Sequence, residues 1–181
     1  MAGISGLEEV DFSSTSLTTE QLTGIFTQLS TLENHKLRNL WISGNNLRSV
    51  STETLVAGIS GLETVNFSDT NLTTEQLTVI FTQLSTYEDH KLRSLKLRNN
   101  DLSSVPTETL VAGISGLEEV ELYDTKLTKE QITGIYRMVA DRKCSRLKKI
   151  KIVSDISARD ISQEVRDRAK LNQSVLIEST R

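Results

Sequence analysis

The sequence predicts an α/β fold in which parallel strands form one sheet and helices cover one side of it. The segment AGISGLE begins at Ala2, Ala57 and Ala112, which gives an internal repeat of 55 residues. Each period contains two short aliphatic strand patterns and two helical patterns. Because every connection between strands has a similar length and sense, the strands must run parallel. We therefore expect one continuous repeat array over residues 1–181.

Six strands are predicted at the starts of six units. The units begin near residues 7, 37, 62, 92, 117 and 147, and they alternate between 30 and 25 residues in length. The predicted strands are Val10–Phe12, Leu40–Ile42, Val65–Phe67, Leu95–Leu97, Val120–Leu122 and Ile150–Ile152. Side chains alternate between the two faces of a strand, so the middle residue of each should point away from the core.

Each longer unit carries an amphipathic helix, the first over Thr18–Ser30. Its apolar residues Leu22, Ile25, Phe26 and Leu29 follow the spacing of one buried helix face. Capping boxes are predicted at Thr18/Gln21, Thr73/Gln76 and Thr128/Gln131. Shorter helices begin near Thr52 and Thr107 in the shorter units. Residues 154–181 are predicted to cap the array, with a charged helix over Ser157–Leu171 and a last strand at Val175–Ile177.

The strand segments carry a recognisable motif. Leu92–Leu102 reads LRSLKLRNNDL and Leu37–Leu47 reads LRNLWISGNNL, each with Asn at the ninth place. Three further copies have Thr there. This pattern, with its two alternating unit types, resembles the ribonuclease-inhibitor-like leucine-rich repeats, as in the corresponding domains of NOD-like receptors. The resemblance implies a single-domain solenoid, or horseshoe, with the sheet on its concave side and helices on its convex side. It also implies protein binding.

Composition narrows the class of protein. The net charge is −3, 36% of residues are hydrophobic and 4% are aromatic. The hydrophobic and aromatic fractions are low for a compact globular protein but are compatible with a thin repeat array. One cysteine excludes an intramolecular disulfide framework and favours an intracellular, cytoplasmic setting. No apolar run is long enough to span a bilayer, and no signal peptide pattern opens the chain, so no membrane association is expected.

Catalytic motifs are missing from the sequence. His35 and His90 stand two units apart, about 10 Å at least, and cannot share one metal ion. Cys144 has basic neighbours, but no His or Asp is placed by sequence to make it a nucleophile. No phosphate-binding glycine loop or nucleophile elbow occurs. We expect a non-catalytic protein with no cofactor and no metal site.

The differences between repeats favour a recognition surface. Residues 7–61 and 62–116 form 55 aligned pairs, of which fifteen differ, and eleven of these lie in strands and the turns after them. Helix residues expected to face solvent, such as Thr19, Glu20 and Thr23, are unchanged at Thr74, Glu75 and Thr78. A diversified concave face on a fixed scaffold explains this pattern. Chance clustering, or design on one helix template, is the other explanation.

The predicted function is a protein–protein interaction module that binds a partner, of unknown identity, through the concave face. The predicted binding residues are Asp11, Asn39, Trp41, Ser43, Asn66, Lys96, Arg98, Glu121, Tyr123 and Lys151. Trp41 is the predicted anchor, since aromatic residues dominate interface energetics. The charges of the second half alternate in sign from strand to strand, so the competing interpretation is that they neutralise one another.

Two alternatives remain at this stage. The basic region 137–151 would bind nucleic acid, with a steep dependence on salt, although no aromatic residues interleave with it and acidic residues lie alongside. The second alternative is a structural scaffold that self-associates through its ends. The N-terminal strand has an unpaired side, and exposed strand edges promote association, so edge-to-edge contacts are expected there.

Overall fold

The computed structural model describes residues 6–31, 36–86, 90–144, 146–153, 162–171 and 176–180. Strands and helices alternate along this part of the chain. The strands are β1 (Glu9–Asp11), β2 (Asn39–Trp41), β3 (Thr64–Asn66), β4 (Ser94–Lys96), β5 (Glu119–Tyr123), β6 (Lys149–Val153) and β7 (Leu176–Thr180). The helices are α1 (Thr19–Thr31), α2 (Thr52–Ile59), α3 (Thr74–Thr86), α4 (Thr107–Ser115), α5 (Lys129–Ala140) and α6 (Gln163–Leu171).

All seven strands belong to one parallel sheet whose spatial order is the order of the chain, from β1 to β7. Equivalent residues of successive units stand side by side in the register. Asp11 pairs with Trp41, and Trp41 with Asn66. The parallel sheet predicted from the repeat is therefore confirmed. Its order places β1 at one edge.

The core lies between the sheet and the helices. The inward residues of the strands, such as Leu40 and Val65, are fully buried and form one apolar cluster with the inward residues of the helices. Phe26 of α1 and Phe67 after β3 meet in this cluster with ring centroids 6.1 Å apart.

Two asparagines bind the turns of neighbouring units together. The Asn100 side chain accepts a hydrogen bond from the Leu72 N–H (3.0 Å) and donates to the carbonyls of Phe67 (2.7 Å) and Leu97 (3.2 Å). Asn45 makes the equivalent bonds to Leu17 and Phe12 in the unit before it. Buried backbone groups that would otherwise lack partners are satisfied in this way.

The capping boxes are confirmed, and their glutamines do more than the motif predicts. Gln76 accepts a hydrogen bond from the Thr73 N–H, as expected. Its Nε2 also donates to the carbonyls of Leu47 (3.0 Å) and Val50 (2.7 Å) in the preceding unit. Gln131 repeats this arrangement one period later. These two glutamines are buried, so they join helix and turn within the interior.

Several predicted boundaries shift by one or two residues. Strands β1 to β4 begin and end one residue earlier than predicted, because the residue before the first aliphatic one already pairs with the neighbouring strand. Helix α1 is Thr19–Thr31 instead of Thr18–Ser30, since Thr18 acts as its cap. In the C-terminal part, α6 is Gln163–Leu171 and β7 is Leu176–Thr180. Residues 154–161, 172–175 and 181 of the predicted cap lie outside the described residues, and these include the start of the predicted helix and Val175 of the predicted strand.

Glycines set the distance between neighbouring helices. A Cβ on Gly58 would lie 2.8 Å from the Phe26 carbonyl oxygen, and one on Gly113 would lie 2.6 Å from that of Phe81. Contacts this short leave no room for any other residue, so α2 rests on the backbone of α1, and α4 on that of α3. The helix of each longer unit is thus closely packed against that of the shorter unit after it.

Candidate functional site

The predicted binding residues lie on the open face, which we define as the side of the sheet away from the core. Each of the first six strands presents one central residue there, with buried neighbours on both sides except at Asp11, where Phe12 is partly buried. This central row consists of Asp11, Trp41, Asn66, Lys96, Glu121 and Lys151. Strand alternation predicted from the sequence that these side chains share one face. The register of the strands agrees with that prediction.

The first half of the open face, on β1 to β3, is polar around one aromatic residue. Trp41 is half-buried, between Asp11 and Asn66 in the row. Both neighbours are engaged with their own turns, since the Ser13 N–H donates to Asp11 (2.8 Å) and the Ser68 N–H donates to Asn66 (3.0 Å). The hydroxyl and N–H of Ser13 hold the pKa of Asp11 below its usual value.

The remaining predicted residues of the first half flank this row. Asn39 lies one residue before Trp41, paired in the register with Glu9 and Thr64, and is half-buried. Ser43 lies on the other side and donates a hydrogen bond to the Ser13 hydroxyl (2.9 Å). These side chains are short and polar, so they leave one edge of the indole open to contact.

The second half of the open face, on β4 to β6, is a network of ion pairs. Glu121 bonds Lys151 and lies 3.8 Å from the Lys96 ammonium. Glu119 lies 3.8 Å from Lys151, and Arg98 lies 3.7 Å from Asp124 in the turn. The Glu121 carboxylate raises the pKa of Lys151, because it stabilises the charged form.

This network supports the competing interpretation of the alternating charges. Lys96, Arg98, Glu121 and Lys151 each have an opposite charge on a neighbouring strand or turn. Exposed pairs of this kind contribute about 0.2–1 kcal/mol each, and they reduce what a partner can gain from the same charges. Tyr123 lies half-buried at the end of β5, beside this network.

A second row of charges crosses the sheet at the residue before each of the first six strands. It alternates in sign from strand to strand, as Glu8, Arg38, Glu63, Arg93, Glu118 and Lys148. Arg38 and Glu63 are 3.5 Å apart, and Glu118 bonds both Arg93 and Lys148. These two cations, Lys148 first, hold the pKa of Glu118 below its usual value. This row is neutral along its length.

One further ion pair joins the turn after β4 to the turn after β5. Lys126 Nζ lies 2.8 Å from Asp101 Oδ2, and the hydroxyl of Ser103 also donates to Asp101. The hydrogen bond from Lys126, followed by that from Ser103, lowers the pKa of Asp101 to about 2. Sequence analysis did not single out this pair, since its members lie in the turns after the strands, where strand alternation does not place side chains.

The histidines and the cysteine show no catalytic arrangement within the described residues. Cys144 is buried, and this burial raises the pKa of its thiol, which opposes nucleophilic reactivity. His90 precedes β4, as predicted, and burial lowers its pKa. His35 lies outside the described residues. No group of three or more His, Cys, Asp or Glu side chains in the described part of the chain could hold a metal ion.

The basic region 137–151 is partly neutralised by the strand next to it. Lys148 binds Glu118, and Lys151 binds Glu121 and Glu119. Arg137, Arg142 and Lys143 are exposed in or after the last turn of α5. Phosphate binding here would compete with acidic side chains that already occupy two of the lysines. In the described ranges, no helix has both the length and the hydropathy needed to cross a membrane.

No model of a known protein family matches the chain, and no curated protein matches it either.

Proposed function

We propose that the chain is a non-catalytic protein-binding module that holds one partner against the open face of its sheet. The observation that carries this proposal is the position of Trp41. The indole lies in the central row between Asp11 and Asn66, whose polar atoms are already bonded to their own turns. A partly exposed tryptophan surrounded by short polar side chains has the composition of an interface anchor.

We also propose that the array is a horseshoe of the ribonuclease-inhibitor-like leucine-rich-repeat kind, with the open face concave. The buried bonds of Asn45 and Asn100 support this, since that motif uses its ninth residue to satisfy turn backbone. The sequential strand order supports it too, because a doubly wound sheet reverses its order at a switch point. Between the two aligned repeats, most differences lie in the strands and turns and few lie on the helices, which agrees with binding on the sheet side.

The test is the substitution Trp41→Ala in the whole chain. A partner is first captured with the wild-type protein and identified, and its affinity is then measured for both proteins. We expect Trp41→Ala to weaken binding about tenfold or more, because loss of a central aromatic anchor costs about 2 kcal/mol or more. The melting temperature should stay within about 3 °C, since the ring is only half-buried.

Thr27→Ala, on the exposed side of α1, is the matched control and should change neither quantity. A fall in melting temperature of several degrees with unaltered affinity would show instead that the indole is a structural residue folded over the neighbouring strand.

A further inference from the structure

A cavity of about 680 Å³ lies between α2 and α3, on the helix side of the molecule and away from the open face. Its walls are apolar, with Val56 and Ile59 on α2 and Val79 and Ile80 on α3. Leu92, which enters the following strand, also lines it. Small-molecule sites commonly occupy about 300–1,000 Å³ and have apolar walls with a few polar groups. The cavity therefore has the size and the lining of a ligand site.

One side chain accounts for this gap. In α5 the position equivalent to Val79 is Gly134, 55 residues later in the repeat. A Cβ on Gly134 would lie 3.0 Å from Thr107 Cγ2 and 3.1 Å from Val111 Cγ2, so α5 rests directly on α4. The corresponding residues of α2, Thr52 and Val56, line the cavity. Val79 fills the space that Gly134 leaves free and holds α3 away from α2.

The described charged side chains that line the cavity are acidic. Glu53 and Glu75, in the first turns of α2 and α3, both line it and are exposed. Its described lining residues include no lysine or arginine. The remaining titratable group is His90, whose pKa is lowered first by burial and further by the charge of Arg146. Glu53 and Glu75 are therefore the acidic side chains among the described lining residues, and no described lysine or arginine opposes them there.

The His90 ring also brings an unused polar atom to this region. Its Nδ1 is buried and has no hydrogen-bond partner, the one such side-chain atom among the described residues. Because this atom is itself inaccessible, the ring contributes a wall of the cavity and no hydrogen bond to an occupant. The apolar walls and the two carboxylates together define the chemistry of the occupant.

We propose that the cavity between α2 and α3 binds a small organic cation with an apolar body, such as an alkylammonium or arylammonium compound. The apolar body would lie between Val56 and Val79. The cationic group would lie near Glu53 and Glu75, where attraction to two carboxylates favours it over an anion of the same size. This site is independent of the open face and of any partner bound there.

The experiment uses the whole chain and octyltrimethylammonium as the probe, with binding followed by amide NMR. We expect saturable binding that shifts the amides of Val56, Val79 and His90. Octanoate, an anion with the same chain length, should bind about tenfold more weakly. The variant Trp41→Ala should bind the probe as the wild type does, so the outcome is separate from that for partner binding on the open face.

Two variants test the geometry. Ala57 is exposed and lines the cavity, so Ala57→Trp should fill it and weaken probe binding about tenfold. Ala112→Trp, at the equivalent exposed position of α4, is the matched control and should leave binding unchanged. Val79→Gly should let α2 and α3 approach as α4 and α5 do, with a similar loss. Glycine also weakens a helix, so Val79→Gly could fail to fold. In that case the result with Ala57→Trp decides the test.

A charge variant tests the acidic residues. Removing both carboxylates in the double variant Glu53→Gln/Glu75→Gln should weaken cation binding about fivefold and leave octanoate no weaker. The equivalent double variant Glu20→Gln/Glu108→Gln, on α1 and α4, is the control. Equal binding of cation and anion, equal effects of the two tryptophan variants, or the lack of saturable probe binding would each overturn the proposal.

Discussion

The two halves of the open face belong to the same hydrogen-bonded sheet but differ in the charges of their central rows. In the second half, the central row runs Lys96, Glu121, Lys151, and each charge meets an opposite one on the next strand. In the first half, the row places Trp41 and Asn66 where the second half has charged residues. Equivalent positions of a parallel in-register sheet lie about 4.8 Å apart, so like charges in a row would repel.

Under the proposed function, this difference favours the first half of the open face as the place of contact. A row can alternate in sign, as in the second half, or carry few charges, as in the first half, where Asp11 is the one charged residue of the row. Alternation engages the side chains with one another, whereas the sparsely charged row leaves Trp41 half-buried beside small polar neighbours. The row before the strands alternates through both halves, so it cannot distinguish them. The central row makes the first half the better candidate for partner contact.

The largest expected effect concerns the two asparagines that join the turns of neighbouring units, Asn45 within the first half and Asn100 at the boundary between the halves. Asn100 bonds backbone groups that are fully buried, while the partners of Asn45 at Leu17 and Phe12 are partly exposed. Water can replace the lost bonds only in the second case. We expect Asn100→Ala to cost about 3 kcal/mol of unfolding free energy and Asn45→Ala about 1.5 kcal/mol. Denaturant unfolding measures both.

Ser49→Ala and Ser104→Ala, at equivalent exposed turn positions, are the matched controls and should be nearly neutral. If Asn45→Ala proved as costly as Asn100→Ala, the junction between the first two units would be as well sealed from water as the junction between the two halves, and this part of the comparison would fail.

The second prediction tests the ion pairs of the second half. The folded pKa of Lys151 is raised by Glu121, so the pair stabilises the fold below the unfolded lysine value near 10.5 and is lost as pH rises through the folded value. Glu121→Gln should therefore destabilise the protein at pH 7 by about 1 kcal/mol and lower the Lys151 pKa. Side-chain NMR titration of Lys151 checks the pKa directly.

Glu121→Gln should also leave partner affinity within about twofold of wild type, if the first half carries the binding. A loss as large as that of Trp41→Ala would place the interface on the second half instead.

The smallest expected effect concerns Asp101. Its folded pKa of about 2 lies below the usual value of 3.8. The stabilisation from its bonds is present above pH 4 and is lost as pH falls toward 2. Its side chain is half exposed, so solvent screening reduces the contribution to about 0.5 kcal/mol. Asp101→Asn should be less stable than wild type at pH 7 and equally stable at pH 2. A constant difference between these pH values would contradict the assigned cause.

The repeat made the strands and their register predictable, because alternation of side chains and a constant period leave little freedom. Pairing across strands was predictable only in outline. The alternation in sign at Lys96, Glu121 and Lys151 indicates self-neutralisation, but the distances decide it. The second role of Gln76 was missed, since a capping box accounts for one end of its amide and gives no reason to look for partners in the preceding unit.

One difference between the repeats corresponds to the cavity, but its meaning could not be read from the sequence alone. The pair Gly24 and Val79 is one of the four repeat differences outside the strands and turns. A glycine replaced by valine on a helix surface has no evident meaning until the neighbouring helix is known. Only the packing of α2 and α3 shows that this position controls the distance between them.

The close contacts of Gly58 with Phe26 and of Gly113 with Phe81 bear on how such a chain can grow. Each contact joins a longer unit to the shorter unit after it. Duplication of a single unit would place two helices of the same kind next to each other and lose this fit. Duplication of a whole 55-residue period preserves it, because every new junction copies an existing one. The packing therefore favours the pair of units as the block that is duplicated when the array grows.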